Sequence, residues 1–287
     1  MWGNRLEAEL ISSLLLHTII WPFGLGVILA MVSLGRGTNM RVQVFIAIAM
    51  IFAVYTLLEG LPSFPPTAAK QKLSFLIVGI AVALLVAARF QFRTWLSTVI
   101  VLGVGLAWLG ANKLLSSAVW SHGLLILAPI VMAALASRSL GARATDVFLW
   151  PSALLAFAIG GSLLSLFGVF VGFAQAMGAM AAWLGGYMLF QFAMVCMGRK
   201  VNALAPSALQ AVLLSFVSMS FMVALFAPDV SLLAYAVLSL TLLVPQFAPE
   251  LRGLSQTIKP FVFGFLAAAP AVAAILIAFV HRGLSVG

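Results

Sequence analysis

The chain has 287 residues, 64% of them hydrophobic and only 7% charged, with a mean hydropathy of +1.21. A soluble domain carries about 25% charged residues, so a water-soluble globular fold is excluded. Fifteen basic residues against six acidic ones leave a net charge of +9. In so apolar a chain that excess reports membrane orientation and contact with anionic lipid, not nucleic-acid binding.

A bilayer core takes roughly 20 apolar residues to cross, and the apolar runs predict an all-α polytopic transmembrane bundle without an extramembrane domain. About ten spans are expected, with a range of eight to ten. The start, MWGNRLEAEL, lacks the basic opening and small-residue cleavage site of a signal peptide, so it is expected to be retained. The runs lie at 10 to 32, 43 to 61, 73 to 89, 95 to 111, 115 to 136, 147 to 167, 173 to 197, 207 to 226, 230 to 246 and 261 to 280. Residues 1–287 form one integral membrane domain, which a pairing of five spans with five would divide into 1–145 and 146–287.

The first span holds Trp21, Pro22, Gly24 and Gly26 near its middle, where a proline removes a backbone hydrogen bond and glycines loosen the turn. Between the second and third spans, the proline-rich segment Pro62 to Lys72 predicts a stiff extended loop, with a cap near Thr67. Gly79, Ala83 and Ala87 line one face of the third span, and Gly103, Ala107 and Ala111 one face of the fourth. Gly168 and Gly172 form a GxxxG step, so these faces suit close helix approach. The sixth span carries Trp150-Pro151 and then Gly160 and Gly161. Helices broken at matching places in inverted halves are one way transporters build a midplane site, which makes these residues, with Gln191 of the seventh span, substrate-path candidates.

Ser215, Ser218 and Ser220 in the eighth span are expected to join helices by hydrogen bonds. Phe247, Leu251, Leu254 and Ile258 recur at helical spacing beside Arg252 and Lys259, which predicts an interfacial helix binding anionic lipid. Pro270, among alanines, is expected to kink the last span.

No phosphate loop, HExxH pair or GxSxG elbow is present, and no catalytic residue, metal site or cofactor is expected. Glu59 and Lys113 form a possible polar patch near the outer surface. His17 and His122 sit at a shared depth, which leaves a b-type haem as an alternative reading. The composition therefore suggests a small permease or flippase of the inner (plasma) membrane, handling a weakly polar or lipid-linked substrate. Its alternatives are a non-catalytic integral subunit or assembly factor with membrane-protein partners, and an electron-transfer subunit carrying haem.

In this topology Arg36, Arg41, Arg89, Arg93, Arg138, Arg143, Arg199, Lys200, Arg252 and Lys259 share one side, and Arg5, Lys70, Lys72, Lys113 and Arg282 the other. The side richer in Lys and Arg is expected in the cytoplasm, with both termini outside. In a Cys196→Ser background, an impermeant maleimide added to intact cells should label cysteines near Lys70 and spare those between Arg138 and Arg143. The reverse pattern would invert the topology.

Overall fold

The structure is a computed structural model that describes residues 15–34, 39–90, 92–114, 123–143, 146–227, 229–248 and 254–286. The protein is an all-α polytopic bundle, and the described residues contain no strand. We number its helices α1 (Leu16–Leu34), α2 (Met40–Glu59), α3 (Ala69–Arg89), α4 (Thr94–Leu114), α5 (Gly123–Ser137), α6 (Leu149–Phe167), α7 (Val171–Cys196), α8 (Pro206–Phe226), α9 (Leu232–Phe247) and α10 (Lys259–Val286). A one-turn helix, Leu140–Arg143, lies between α5 and α6.

Eight of these helices are long and apolar enough to cross a bilayer. The segments expected as the fifth and ninth spans are shorter apolar helices. Residues 115–122, where the fifth span was expected to begin, lie outside the described residues. Within α9 the winding changes ahead of a proline. Pro245 has no N–H for the Thr241 carbonyl, so the chain tightens into a 3-10 turn at Leu240–Leu243 and the Val244 N–H takes that carbonyl instead.

Helix α8 is the axis of the bundle. Every residue from Ala208 to Leu225 is buried, and α2, α3, α4, α5, α9, α6 and α7 succeed one another as packed neighbours in a closed ring around it. Helix α1 sits outside the ring on α7, and α10 sits outside it on α6 and α9. An enclosed helix needs apolar surface all round, which is why α8 shows no polar face.

Two glutamines fasten the start of α8. Gln43 Oε1 accepts the Ala205 N–H at 2.8 Å, and Gln210 Nε2 donates to the Thr94 carbonyl, Ser97 Oγ and Thr98 Oγ1 at 2.9–3.0 Å. Ser215, Ser218 and Ser220 donate to carbonyls three or four residues back in α8 itself, and of the three Ser220 also lies against the Tyr235 hydroxyl of α9. A hydroxyl one turn from a backbone carbonyl reaches it without any partner helix.

Neither glycine-bearing helix is interrupted. Helix α1 opens with a π-helical turn at Leu16–Ile20 and continues unbroken through Pro22, Gly24 and Gly26. A proline ring crowds the carbonyl four residues back, and the wider π turn just ahead of it relieves that crowding. Gly26 and Gly186 mark a crossing of α1 on α7 where backbone meets backbone. A β-carbon on Gly26 would collide with the Trp183 carbonyl and lie 2.9 Å from the Tyr187 nitrogen, and one on Gly186 would collide with the Phe23 carbonyl. Gly160 and Gly161 likewise admit Leu238 and Met177 side chains.

The faces expected at Gly79 and Gly103 are open, with nothing within 4 Å of a built β-carbon, whereas Gly105 receives Leu76. At Gly168 and Gly172 the approach is close, to Ala227 and Val230 at 3.2 Å and to the Glu59 carboxylate at 3.1 Å.

The crossing sorts the two glycines of α1. Gly24 has nothing within 4 Å of a built β-carbon, so Gly24→Ala should hold or raise thermal stability in detergent by up to about 1 kcal/mol through helix propensity. Gly26→Ala and Gly186→Ala should each cost about 1–3 kcal/mol or more, as overpacking against backbone does. Equal melting temperatures for the Gly24 and Gly26 variants would contradict the crossing.

Candidate functional site

The substrate-path candidates separate in space. Trp21 is exposed on the outer face of α1, Pro22 and Gly26 are buried, and Gly160 and Gly161 serve packing in α6. Gln191, fully buried, donates to Ser33 Oγ of α1 at 2.8 Å, and Ser33 in turn donates to the Ala30 carbonyl at 2.7 Å. The Asn202 side chain reaches the Ser33 carbonyl at 3.3 Å, so α1, α7 and the segment before α8 meet at one polar knot. The Tyr187 hydroxyl lies beside this knot. That hydroxyl is set against the side chains of Ser33 and Gln191 and the backbone of Leu204.

At the opposite end of the bundle Glu59 takes Lys70 as its ionic partner at 3.2 Å, and Lys113 lies over the Phe226 ring at 5.9 Å. Lys70, the partner of Glu59, stands at the start of α3. There Gln71 Oε1 accepts the backbone N–H groups of Thr67 and Ala68, capping that helix from within. His17 stands in the π turn of α1, while His122 and Arg252 lie outside the described residues. The expected interfacial helix is not seen at its described end, where Leu254 to Ile258 form a bend and turn leading directly into α10.

Lys259, the other lipid-binding candidate, belongs to a site that its neighbours build. Helix α7 ends on Gly198, whose φ of +68° suits glycine, with the Gly198 N–H on the Val195 carbonyl and the Arg199 N–H on the Met194 carbonyl, both at 2.9 Å. This turn delivers Arg199 and Lys200, both exposed, to a pocket of about 640 Å³. Asp146 and Val147 line it from the start of α6, and Gln256 and Lys259 from the start of α10. Asp146 Oδ1 accepts the Phe148 and Leu149 N–H groups at 3.0 and 3.3 Å, placing a negative charge at the N-terminus of α6. Its Oδ2 lies 3.9 Å from Lys259 Nζ. Among the described lining residues three cations face one carboxylate, and that carboxylate is already engaged.

A second space lies further along the bundle, and Val147 and Val195 of the pocket and Met188 of this second space pack against one buried cluster of Phe148, Leu149, Ala248 and Phe263. The second space is an apolar groove of about 290 Å³ between α6 and α10, floored by Met188 of α7 and lined by Ser152, Ile159, Gly264, Ala268 and Val272 among others. The same three helices form both spaces. Val147 and Ser152 follow one another along α6, Val195 and Met188 along α7, and Lys259 and Pro260 along α10. Phe192 and Phe261 pack edge to face at 5.6 Å. Ser152 is buried, yet its hydroxyl has no hydrogen-bond partner among the described residues. Most buried serines of the chain instead donate to a carbonyl of their own helix, as Ser165 does to Gly161.

Sequence reasoning singled out Lys259 and missed its companions. Arg199 and Lys200 registered only as inner-side charges, and Ser152 follows a Trp-Pro pair that drew attention instead. The chain matches no protein-family model, no curated protein and no solved structure.

The two roles of Asp146 can be separated by substitution. Asp146→Asn keeps an acceptor for the two amides and loses the ion pair, so it should change stability by no more than about 1 kcal/mol. Asp146→Leu also loses the cap and should cost about 0.5–2 kcal/mol more. Melting curves in detergent measure both, and an equal loss in the two variants would assign the stabilisation to the ion pair.

Proposed function

We propose that this chain is a small permease or flippase of the inner (plasma) membrane, with its basic end in the cytoplasm and a lipid-linked or weakly polar amphiphile as substrate. The observation that carries this reading is the neighbouring pair of spaces at α6, α7 and α10, a charged pocket at the end of the bundle and an apolar groove further along the same helices. An amphiphile has that same division between head and chain. Small side chains at Gly264, Ala268 and Ala271 strip one face of α10, so a hydrocarbon chain can lie against the helix. The distribution of charge at the helix ends supports the orientation. Arg41, Arg89, Arg93, Arg138, Arg143, Arg199, Lys200 and Lys259 flank one set of ends, and Lys70, Lys72, Lys113 and Arg282 the other.

A second reading, a non-catalytic integral subunit or assembly factor, draws on α4, where Gly103 and Ala107 lie exposed and Gly103 has open space beside it. Small exposed residues admit a partner helix closely. The particle mass in mild detergent separates the two, since a subunit would co-purify with its partners.

Transport is measured in proteoliposomes that carry a short-chain fluorescent phospholipid, with a membrane-impermeant quencher added outside. The wild-type chain should accelerate exchange between leaflets. Ala268→Trp, which fills the groove, should return the rate to that of protein-free vesicles while the melting temperature stays within a few degrees. Wild-type rates from Ala268→Trp would remove the groove from the path.

A further inference from the structure

We infer that the basic pocket and the α6/α10 groove together hold one phosphate-headed amphiphile, with its phosphate among Arg199, Lys200 and Lys259 and its chain along Gly264, Ala268 and Val272. This inference rests on the translocation reading above and names the ligand class of that same site.

The charge argument comes first. Arg199 and Lys200 are exposed at the pocket, and no side-chain partner engages them among the described residues. Lys259 meets Asp146 only at 3.9 Å, beyond hydrogen-bond length, so its ammonium keeps donors for another acceptor. A guanidinium and two ammonium groups together supply more donors than the two oxygens of a carboxylate accept. A phosphate offers three or more oxygens, and the planar guanidinium fork engages two of them at once.

The groove argues for a chain attached to that phosphate. An inorganic anion would have no use for an adjoining apolar space that opens from the same three helices. Ser152 lies in the first turn of α6, on the groove side nearer the pocket, and its hydroxyl is buried without a partner while lining the groove. A buried hydroxyl with nothing to bond carries a desolvation cost. An ester or hydroxyl oxygen between head and chain would relieve it.

The test is native mass spectrometry of the full chain in mild detergent, with phosphatidic acid, diacylglycerol of the same chains and inorganic phosphate as the three probes. The wild type should retain phosphatidic acid at one copy per chain and release diacylglycerol, and excess inorganic phosphate should not displace the lipid. Arg199→Gln with Lys200→Gln should weaken retention by about thirtyfold, as the loss of two basic contacts to an anionic lipid does. Ser152→Ala should weaken it by about fivefold. Lys70→Gln with Lys72→Gln, at the opposite end, should leave it unchanged.

Equal retention of the two lipids would overturn the phosphate assignment. Displacement by inorganic phosphate would assign the pocket to a soluble anion and overturn the amphiphile. Equal weakening by the opposite-end pair would reduce the effect to general surface charge and overturn the site. Phosphatidic acid binding without leaflet exchange would support this inference while removing the translocation reading. Leaflet exchange without phosphatidic acid binding would do the reverse.

Discussion

The arrangement depends on one contact, the meeting of the α1 and α7 backbones at Gly26 and Gly186. No side chain stands between the helices there, and dispersion between backbones at close range takes the place of the hydrophobic effect, which has no purchase among lipid tails. Because α1 sits this deep, Ser33 reaches Gln191 and Asn202 reaches the Ser33 carbonyl. Those bonds fix where α7 ends, and the Gly198 turn then determines where Arg199 and Lys200 emerge. A glycine pair deep in the bilayer thereby positions charges at its surface.

Cations hold both ends of the bundle, but amides are concentrated at one. At the end that carries the pocket, Gln43, Gln210, Gln191 and Asn202 each bond a neighbouring helix or connection, beside Arg143 on the Pro245 and Ala248 carbonyls and Arg138 over the Trp95 ring. The other end relies on lysines that cover aromatic rings and the carboxylate of Glu59, as Lys72 does over Trp108 at 5.8 Å. Amides in a low-dielectric interior give directional, salt-insensitive bonds, whereas the lysine contacts lie where solvent screens them. Among the described residues, the amide-held end also gathers buried polar atoms without a hydrogen-bond partner, at Trp150, Ser152 and Ser207.

The helical membrane bundle was legible from composition, since continuous apolar runs of this length fold in lipid only as helices or closed barrels and these runs do not alternate. The chemistry within the runs was harder to read. Gly24 and Gly26 look alike in sequence, and only the position of α7 separates a free glycine from an indispensable one. Gly160 and Gly161 suggested loosened backbone but receive the side chains of Leu238 and Met177. The interfacial helix was read from spacing alone, and at Leu254 to Ile258 the chain turns instead to begin α10. Gln43 and Gln210 were overlooked although each stands in the first turns of an apolar helix, where an amide must bond a neighbour. The pocket joins residues 146, 199, 200 and 259, which become neighbours only when three helices share an end.

The serines of α8 have a consequence for biogenesis. A helix enclosed by its neighbours in the finished protein must nevertheless first leave the insertion machinery with lipid on every side. Ser215, Ser218 and Ser220 each donate to a carbonyl of α8 itself, so their hydroxyl hydrogens are satisfied before any other helix arrives. The central helix can therefore wait in the bilayer as an ordinary span while the ring assembles around it. Gln210, which bonds α4 at its first turn, then serves as the latch that seats it.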